Sequence, residues 1–542
     1  MNVGELLEEG SGPLGMACRG ARFVAEQYGE LLPQSVLGRD RTQTAARLRI
    51  PRRVADFRDR DPQDLDRVGG GIVAGGPLPA PRAVVLGHRT SSLQYAPRVH
   101  DLVIRGGMMI DGTGAPGRRA DVAVTDGTIT AIGEGLGSAR RTLEADGALV
   151  TPGFVDLHSH YDGQATWDEE LMPSSIHGST TVAMGSCGVG FAPCRPEDRD
   201  KLIALMEGVE DIPGSALAEG LRWSWESFGE YMAALDRSPH SIDLACHVPH
   251  DAVRVFVMGE RALAGEAATD VEIAAMGALV RQAIVDGAVG FSTGRTDNHR
   301  NADGRTTPGA DASAHELEGI DRALAGIDRG VLQAVSDFDM FVSPARFDPE
   351  FDLLEEMARL SGRPLSISLL QRVGASEQGK QILGRIERAN AAGHVVRAQV
   401  ATRGIGVLLG LEATFHPFIG FPTYKALAHL PLADRVRELA KPEVKAKILG
   451  ETSDKVAGDG SAVPPLVDKL LSAFDMVAMS LFRLAEHPDY EPSRMASLFG
   501  ESMRLGKRPL EVTYDALLED GGHQLLYFPI YNYAAGSLTE VG

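Results

Sequence analysis

Two histidines in the first third of this 542-residue chain have the type and spacing to hold a metal ion. His158 and His160 stand one residue apart in TPGFVDLHSHYD, residues 151–162, behind a run that reads as a buried strand. Alternate side chains of a strand share a face. The two imidazoles would therefore point the same way about 6.6 Å apart, at about 3.3 Å per residue. Rings at that spacing can lean onto one ion, with zinc–nitrogen bonds of about 2.0–2.1 Å. The pair alone leaves a second reading open: a half-exposed strand end with two chance histidines.

The elements around the pair narrow the choice. From residue 148 short apolar runs recur, among them TTVAMGSC, SIDLACHV, GAVGFST, GVLQAVSDF, PLSISLL and HVVRAQV, with ALVTPGFVDLH leading them. Helical stretches such as EIAAMGALVRQAIVDG and PEFDLLEEMARLSG lie between. Alternation this long implies parallel βα units. Seven strands in sequence point to a TIM-like (β/α)8 barrel rather than a doubly wound sheet. Ahead of them, DLVIRGGMMID, DVAVTDG and TITAIG read as short strands between turn residues. After residue 400 the pattern turns mostly helical. Residues 1–98 mix Arg and Asp with weak periodicity and read as a poorly ordered extension. The predicted division is 1–98, a small segment over 99–150, and the barrel over 151–542.

Composition sets outer limits. The net charge of −20 argues against a nucleic-acid partner and for a small-molecule substrate. Four cysteines, Cys18, Cys187, Cys194 and Cys246, make no CxxC pair, which fits a reducing, cytoplasmic setting. The N-terminal MNVGELLEEGSG lacks the apolar core of a signal peptide, and no apolar run approaches about 18 residues, so no membrane partner is expected. Only nine residues are Lys, and none lies before Lys201 or between Lys201 and Lys380.

Three stretches in this order resemble the amidohydrolase superfamily, in the branch that includes D-aminoacylase (N-acyl-D-amino-acid deacylase). DLVIRGGMMIDGTGAPGRRADVAVTDGTITAIG resembles the small β-sandwich segment before the barrel. VTPGFVDLHSHYD resembles the HxH motif of strand 1. MGSCGVGFAP, residues 184–193, resembles the cysteine loop after strand 2. GAVGFSTGR and PGADASAHEL add to the likeness, which covers about residue 100 to 535.

The resemblance implies metal ligation by His158, His160 and Cys187, with zinc as the cofactor and one ion rather than two. Cys187 sits between Ser186 and Gly188, small neighbours that let a thiolate approach an ion; a buried apolar cysteine is the alternative. The lysine gap excludes the carbamylated Lys on strand 4 that bridges two metals in other amidohydrolases. The chain departs from the branch where its further ligands would fall. Ser336 stands at the strand-5 His and Leu369 at the strand-6 His, with Asp337 as a candidate oxygen ligand. Gln371 replaces the Lys that holds the substrate carboxylate, and Val400, Ala401 and Thr402 replace Tyr-Pro-Tyr. His250, at the end of strand 3, and Arg295 with His299, after strand 4, are candidate substrate-binding residues. A core histidine and a solvated loop are their alternatives.

In the resemblance, the closing LLYFPIYNYAAGSLTEVG precedes a strand 8 that carries a metal-binding Asp acting as general base and acid. The expectation is a barrel lacking strand 8, and a truncated chain of poor or no activity by itself. The implied chemistry is metal-dependent hydrolysis of non-peptide C–N bonds. A non-catalytic remnant and a cyclic-amide hydrolase on the same scaffold are the alternatives.

Overall fold

The computed structural model describes residues 99–539 except 297, 337, 339–343, 373–376, 402, 459–462 and 534–535. Residues 1–98 and Asp337, about which the sequence raises expectations, lie outside the described residues.

The described chain divides at Val150 into two compact units. In the first, β1 (His100–Met109), β2 (Arg118–Thr125) and β3 (Thr128–Gly133) form an antiparallel meander. β4 (Ala139–Glu144) and β5 (Leu149–Val150) run parallel to β1. The described residues of this unit make one five-stranded sheet. Met109, Ala120 and Val122 form a small core on it, as the alternating apolar positions of β2 require.

The second unit is built on seven strands: β6 (Phe154–Asp156), β7 (Ser179–Met184), β8 (Asp243–Pro249), β9 (Gly290–Arg295), β10 (Val331–Ser336), β11 (Leu365–Ser368) and β12 (Val396–Gln399). They pair in chain order, every pair parallel. A flat sheet of seven strands, spaced at about 4.8 Å, would separate its edges by about 29 Å. Here Gln399 at the end of β12 donates from Nε2 to the Leu157 carbonyl beyond β6, at 3.4 Å. The sheet therefore curls until its two edges nearly meet, as in a barrel. Among the described residues no eighth strand pairs with either edge.

Helices cover the outside. Thr269 and Glu272 form a capping box on the helix Asp270–Asp286, and Gly362 in a left-handed conformation ends the helix Phe347–Ser361. Their apolar faces and the outward residues of the strands, such as Val182, Val248, Phe291 and Ile367, make the main core.

Two boundaries differ from the sequence reading. ALVTPGFVDLH is not one strand: Pro152 and Gly153 interrupt it, so Leu149–Val150 pairs with β1 and Phe154–Asp156 with β7. The segment after Gln399 is not barrel. It holds the antiparallel sheet β13 (Ile405–Leu409), β15 (Leu526–Tyr531) and β14 (Phe482–Arg483), with helices around a separate core of Phe418, Tyr424, Ile448, Leu481 and Leu526. Strand–helix alternation stops at β12, so these helices bury their faces on each other. Asn532 ties the region back. Its backbone N–H donates to the Gln371 carbonyl at 2.8 Å, its Oδ1 accepts from Gln371 N–H at 2.9 Å, and its Nδ2 donates to the Ala401 carbonyl at 2.9 Å. No helix of the described residues is long and apolar enough to cross a membrane.

Candidate metal centre

β6 ends at Asp156, so His158 and His160 lie in the turn beyond the strand rather than within it. Their rings still converge, with centroids 5.5 Å apart at 62°. The second contributor arrives from β7. Gly185 turns the chain at φ 73°, and Cys187 itself is left-handed at φ 57°. That backbone is strained for a residue with a Cβ, and such strain is found where surrounding contacts hold it. Two do so here. Cys187 N–H donates to Gln333 Oε1 on β10 at 3.0 Å, and Gly188 N–H donates to Ser292 Oγ on β9 at 3.2 Å. A Cβ on Gly188 would sit 2.8 Å from the Gly294 nitrogen, so only glycine lets this loop lie on β9.

The result is one ligand atom each from His158, His160 and Cys187, all within 4.8 Å of one another. His158 Nε2 lies 2.8 Å from Cys187 Sγ, and its Nδ1 lies 3.2 Å from Gln399 Oε1. Because the Gln399 amide nitrogen is turned to Leu157, its oxygen faces the imidazole and accepts from Nδ1–H. The Nε2 lone pair is thereby left for the cluster. Burial pushes the Cys187 thiol well above its ordinary value, with Glu210, Asp162 and Asp251 adding to the rise. The protonated thiol thus donates to Nε2.

His160 is 15% exposed, and burial pulls its pKa down to about 4. Its Nε2 lies 3.2 Å from Glu210 Oε1, while its buried Nδ1 has no hydrogen-bond partner. Burial, then the neighbouring His160, lowers His158 as well. Two neutral imidazoles, one with an orphaned buried nitrogen, and a thiol together make the soft N/S donor set that suits zinc. Tetrahedral ligands at about 2.0–2.3 Å from an ion stand about 3.3–3.8 Å apart. The observed spacings reach that with side-chain movements of about an ångström, so the residues fit the ion.

The other expected residues are placed differently. His250 is fully buried, with Nδ1 3.0 Å from Thr293 Oγ1 and Nε2 2.9 Å from Glu316 Oε1. Glu316 also pairs with the buried Arg254. Both ring nitrogens are committed to the barrel wall, leaving none for a substrate. Arg295 donates from Nε and Nη2 to the two oxygens of Glu350 at 2.6 and 3.1 Å, and from Nη1 to the Ala312 carbonyl at 2.9 Å. Its charge is spent on Glu350. Ser336 donates to the same carboxylate at 3.2 Å. Burial pushes the Glu210 carboxyl up, and His299 acts against that rise.

Three residues were not found by sequence reasoning. Glu210 ends the helix Arg199–Glu210, where it reads as an ordinary surface acid. Gln399 sits in VVRAQV, where nothing local distinguishes it. His247 on β8 is fully buried with neither ring nitrogen paired, and burial, then His158, pulls its pKa to about 3. Its position one step before Val248 in an alternating strand, on the face opposite the outer core, was the available signal.

Known proteins are similar to this chain in part. Residues 141–462 match the Amidohydrolase family. The D-aminoacylase of Alcaligenes xylosoxydans xylosoxydans is 38% identical over 195 residues, 36% of this chain and 37% of that protein. The N-acyl-D-aspartate deacylase of the same organism is 35% identical over 205 residues, 38% of each chain. The chain thus spans under two fifths of the length of these curated relatives. Among solved structures, the N-acyl-D-glutamate deacylase from Bordetella bronchiseptica, complexed with zinc and a phosphonate mimic of the reaction's tetrahedral intermediate, is 25% identical. It has a TM-score of 0.47 and covers 82% of this chain and 73% of that one.

Proposed function

This chain belongs to the amidohydrolase family, in its D-aminoacylase-like branch, and we propose that it is a metal-dependent hydrolase of non-peptide amide bonds with His158, His160 and Cys187 as ligands of one zinc ion. The observation that carries the reading is the convergence of these three donors from two different strand ends onto one point. A zinc ion, when bound, supplies Lewis acidity toward an amide carbonyl and toward water. The chain's own residues do the rest. Gln399 fixes His158 in the tautomer that presents Nε2. Gln333 and Ser292 hold the Cys187 loop against β10 and β9. His158 and His160, neutral through burial, offer lone pairs without first shedding protons at pH 7.

The substrate class is an N-acylated amine. The relatives' printed names point to N-acyl-D-amino acids, but Arg295 is neutralised by Glu350 and Gln371 stands where the branch has Lys. A carboxylate on the substrate therefore lacks those two anchors. The test is turnover of N-acyl-D-amino acids, their L forms and N-acyl amines without a carboxylate, with zinc and after chelation. Zinc-dependent release of the free amine, abolished in Cys187→Ala, supports the reading. Turnover that survives both chelation and Cys187→Ala overturns it.

A further inference from the structure

The helix Arg199–Glu210 runs from the second βα unit toward the donor cluster and ends on a carboxylate. Glu210 Oε1 lies 3.2 Å from His160 Nε2, and its side chain is only 21% exposed. This is a poor place for a lone negative charge. The C-terminal end of a helix carries the negative pole of its dipole, and a carboxylate there is disfavoured while a cation is favoured. No basic residue stands in the last turn. Burial pushes the Glu210 carboxyl above its ordinary value, and the groups that oppose the rise are His299 and then His158, with no Lys or Arg among them. A half-buried carboxylate normally has a cation or a set of N–H donors beside it.

Its position is nonetheless fixed. Two residues earlier, Gly208 lets the backbone of residues 300–302 lie directly on the last turn, where any Cβ would collide with Arg300 and Ala302 backbone atoms. Ala302 N–H donates to the Ala204 carbonyl at 3.2 Å. On the far side, Asp211 takes the left-handed cap at φ 56° and accepts from Thr414 Oγ1 at 2.7 Å. The fold thus holds a largely buried carboxyl, with imidazoles and no Lys or Arg acting on it, against His160, whose Nδ1 is itself buried without a partner. One divalent cation on the His158, His160 and Cys187 cluster would answer the carboxylate once the Glu210 side chain turned toward it, since its oxygens do not lie within 4.8 Å of all three donors.

We propose that Glu210 is a fourth protein ligand of the metal held by His158, His160 and Cys187, supplying an oxygen donor from the helix after β7. The inference rests on the metal-centre reading above. A carboxylate beside two imidazoles and a thiolate completes a four-donor set in a chain whose strand-5 and strand-6 positions carry Ser336 and Leu369. It also brings the negative charge of the donor set to two, thiolate plus carboxylate, matching a divalent ion.

The experiment compares wild type, His158→Ala and Glu210→Gln as full chains, each stripped and reloaded with Zn²⁺ or Co²⁺. Zinc affinity is read by competition with a chromophoric chelator, coordination by the visible spectrum of the Co²⁺ form, and metal-free stability by thermal melting. The Glu210→Gln chain should melt at the same temperature as wild type or higher without metal, because a charge at the wrong helix pole is gone. It should bind zinc more than about 100-fold more weakly, beyond what loss of an outer hydrogen-bond partner costs, with an altered Co²⁺ spectrum. Unchanged affinity and spectrum would overturn the proposal while His158→Ala still abolished binding, which leaves the metal centre itself standing. A fall of about 10-fold with an unchanged Co²⁺ spectrum would overturn it too, making Glu210 a positioning residue for His160. A metal-free Glu210→Gln chain that melts lower or fails to fold would count against it, as an ordinary structural role. No zinc binding by wild type would end both readings.

Discussion

Ionisable side chains gather at two places around the mouth of the seven-stranded sheet, and they are treated in opposite ways. On the side of β9 and β10 the charged groups are paired. Arg295 is bidentate on Glu350, Ser336 joins them, and His250 bridges Thr293 and Glu316, which also meets Arg254. On the side of β6 to β8 the answers are missing. His160 Nδ1, Asp162 Oδ2 and both nitrogens of His247 are buried without partners, and burial raises the Asp162 carboxyl to about 7. Buried polar groups are costly when unpaired, so a concentration of them marks a place where something else binds. The satisfied side is architecture; the unsatisfied side is where the proposed metal centre lies.

The largest effect should come from breaking the satisfied side. Glu316→Ala leaves Arg254 buried, its side chain 3% exposed, with no carboxylate. Loss of about 3–5 kcal/mol in urea unfolding at pH 7 is expected, with zinc affinity unchanged. The effect should carry a pH signature. Burial pushes the Glu316 carboxyl up, but the His250 hydrogen bond and the charges of His250 and Arg254 outweigh it and hold it below its ordinary value. A depressed carboxyl stabilises above its unfolded value of about 4.3 and loses that contribution as pH falls through the folded one. The gap between wild type and Glu316→Ala should therefore be full at pH 7 and shrink below about pH 4. A gap independent of pH would contradict this assignment.

An intermediate effect should appear at the seam. Gln399→Leu removes the acceptor for His158 Nδ1–H and frees the ring to flip. Zinc affinity should drop about 10- to 100-fold, with little change in metal-free melting. Equal loss of both would mean that Gln399 closes the sheet and does nothing for the centre.

The smallest effect should come from the open side. His247→Leu exchanges an unpartnered buried imidazole for an apolar side chain of similar size. Metal-free stability at pH 7 should change by no more than about 1 kcal/mol, in the stabilising direction. A loss above about 2 kcal/mol would show that His247 has a partner in the folded protein, and the contrast between the two sides would weaken.

Much of this contrast was legible in sequence, and the parts that were not share a cause. Seven parallel strands follow from strand–helix alternation, because each period is local. The grouping of His158, His160 and Cys187 was expected from the family resemblance that short motifs at strand ends carry. Which groups are satisfied depends on pairs far apart in the chain: Arg295 meets Glu350, His158 meets Gln399, and His160 meets Glu210. No local pattern encodes those meetings. For the same reason His250 and Arg295 read as free to bind substrate when the fold had already spent them on its own wall. The region after residue 400 read as mostly helical, but a single amphipathic helix does not reveal which core it covers; here it is the separate one around Phe418 and Leu481.

The central claim is that the unsatisfied side holds a metal ion. The direct measurement is zinc bound per chain by equilibrium dialysis with elemental analysis, for wild type and for Cys187→Ala. About one ion on wild type, and less than about a tenth of that on Cys187→Ala at the same free zinc, is the expected result. Wild type that retains no zinc, or a Cys187→Ala chain that retains as much as wild type, would contradict the account.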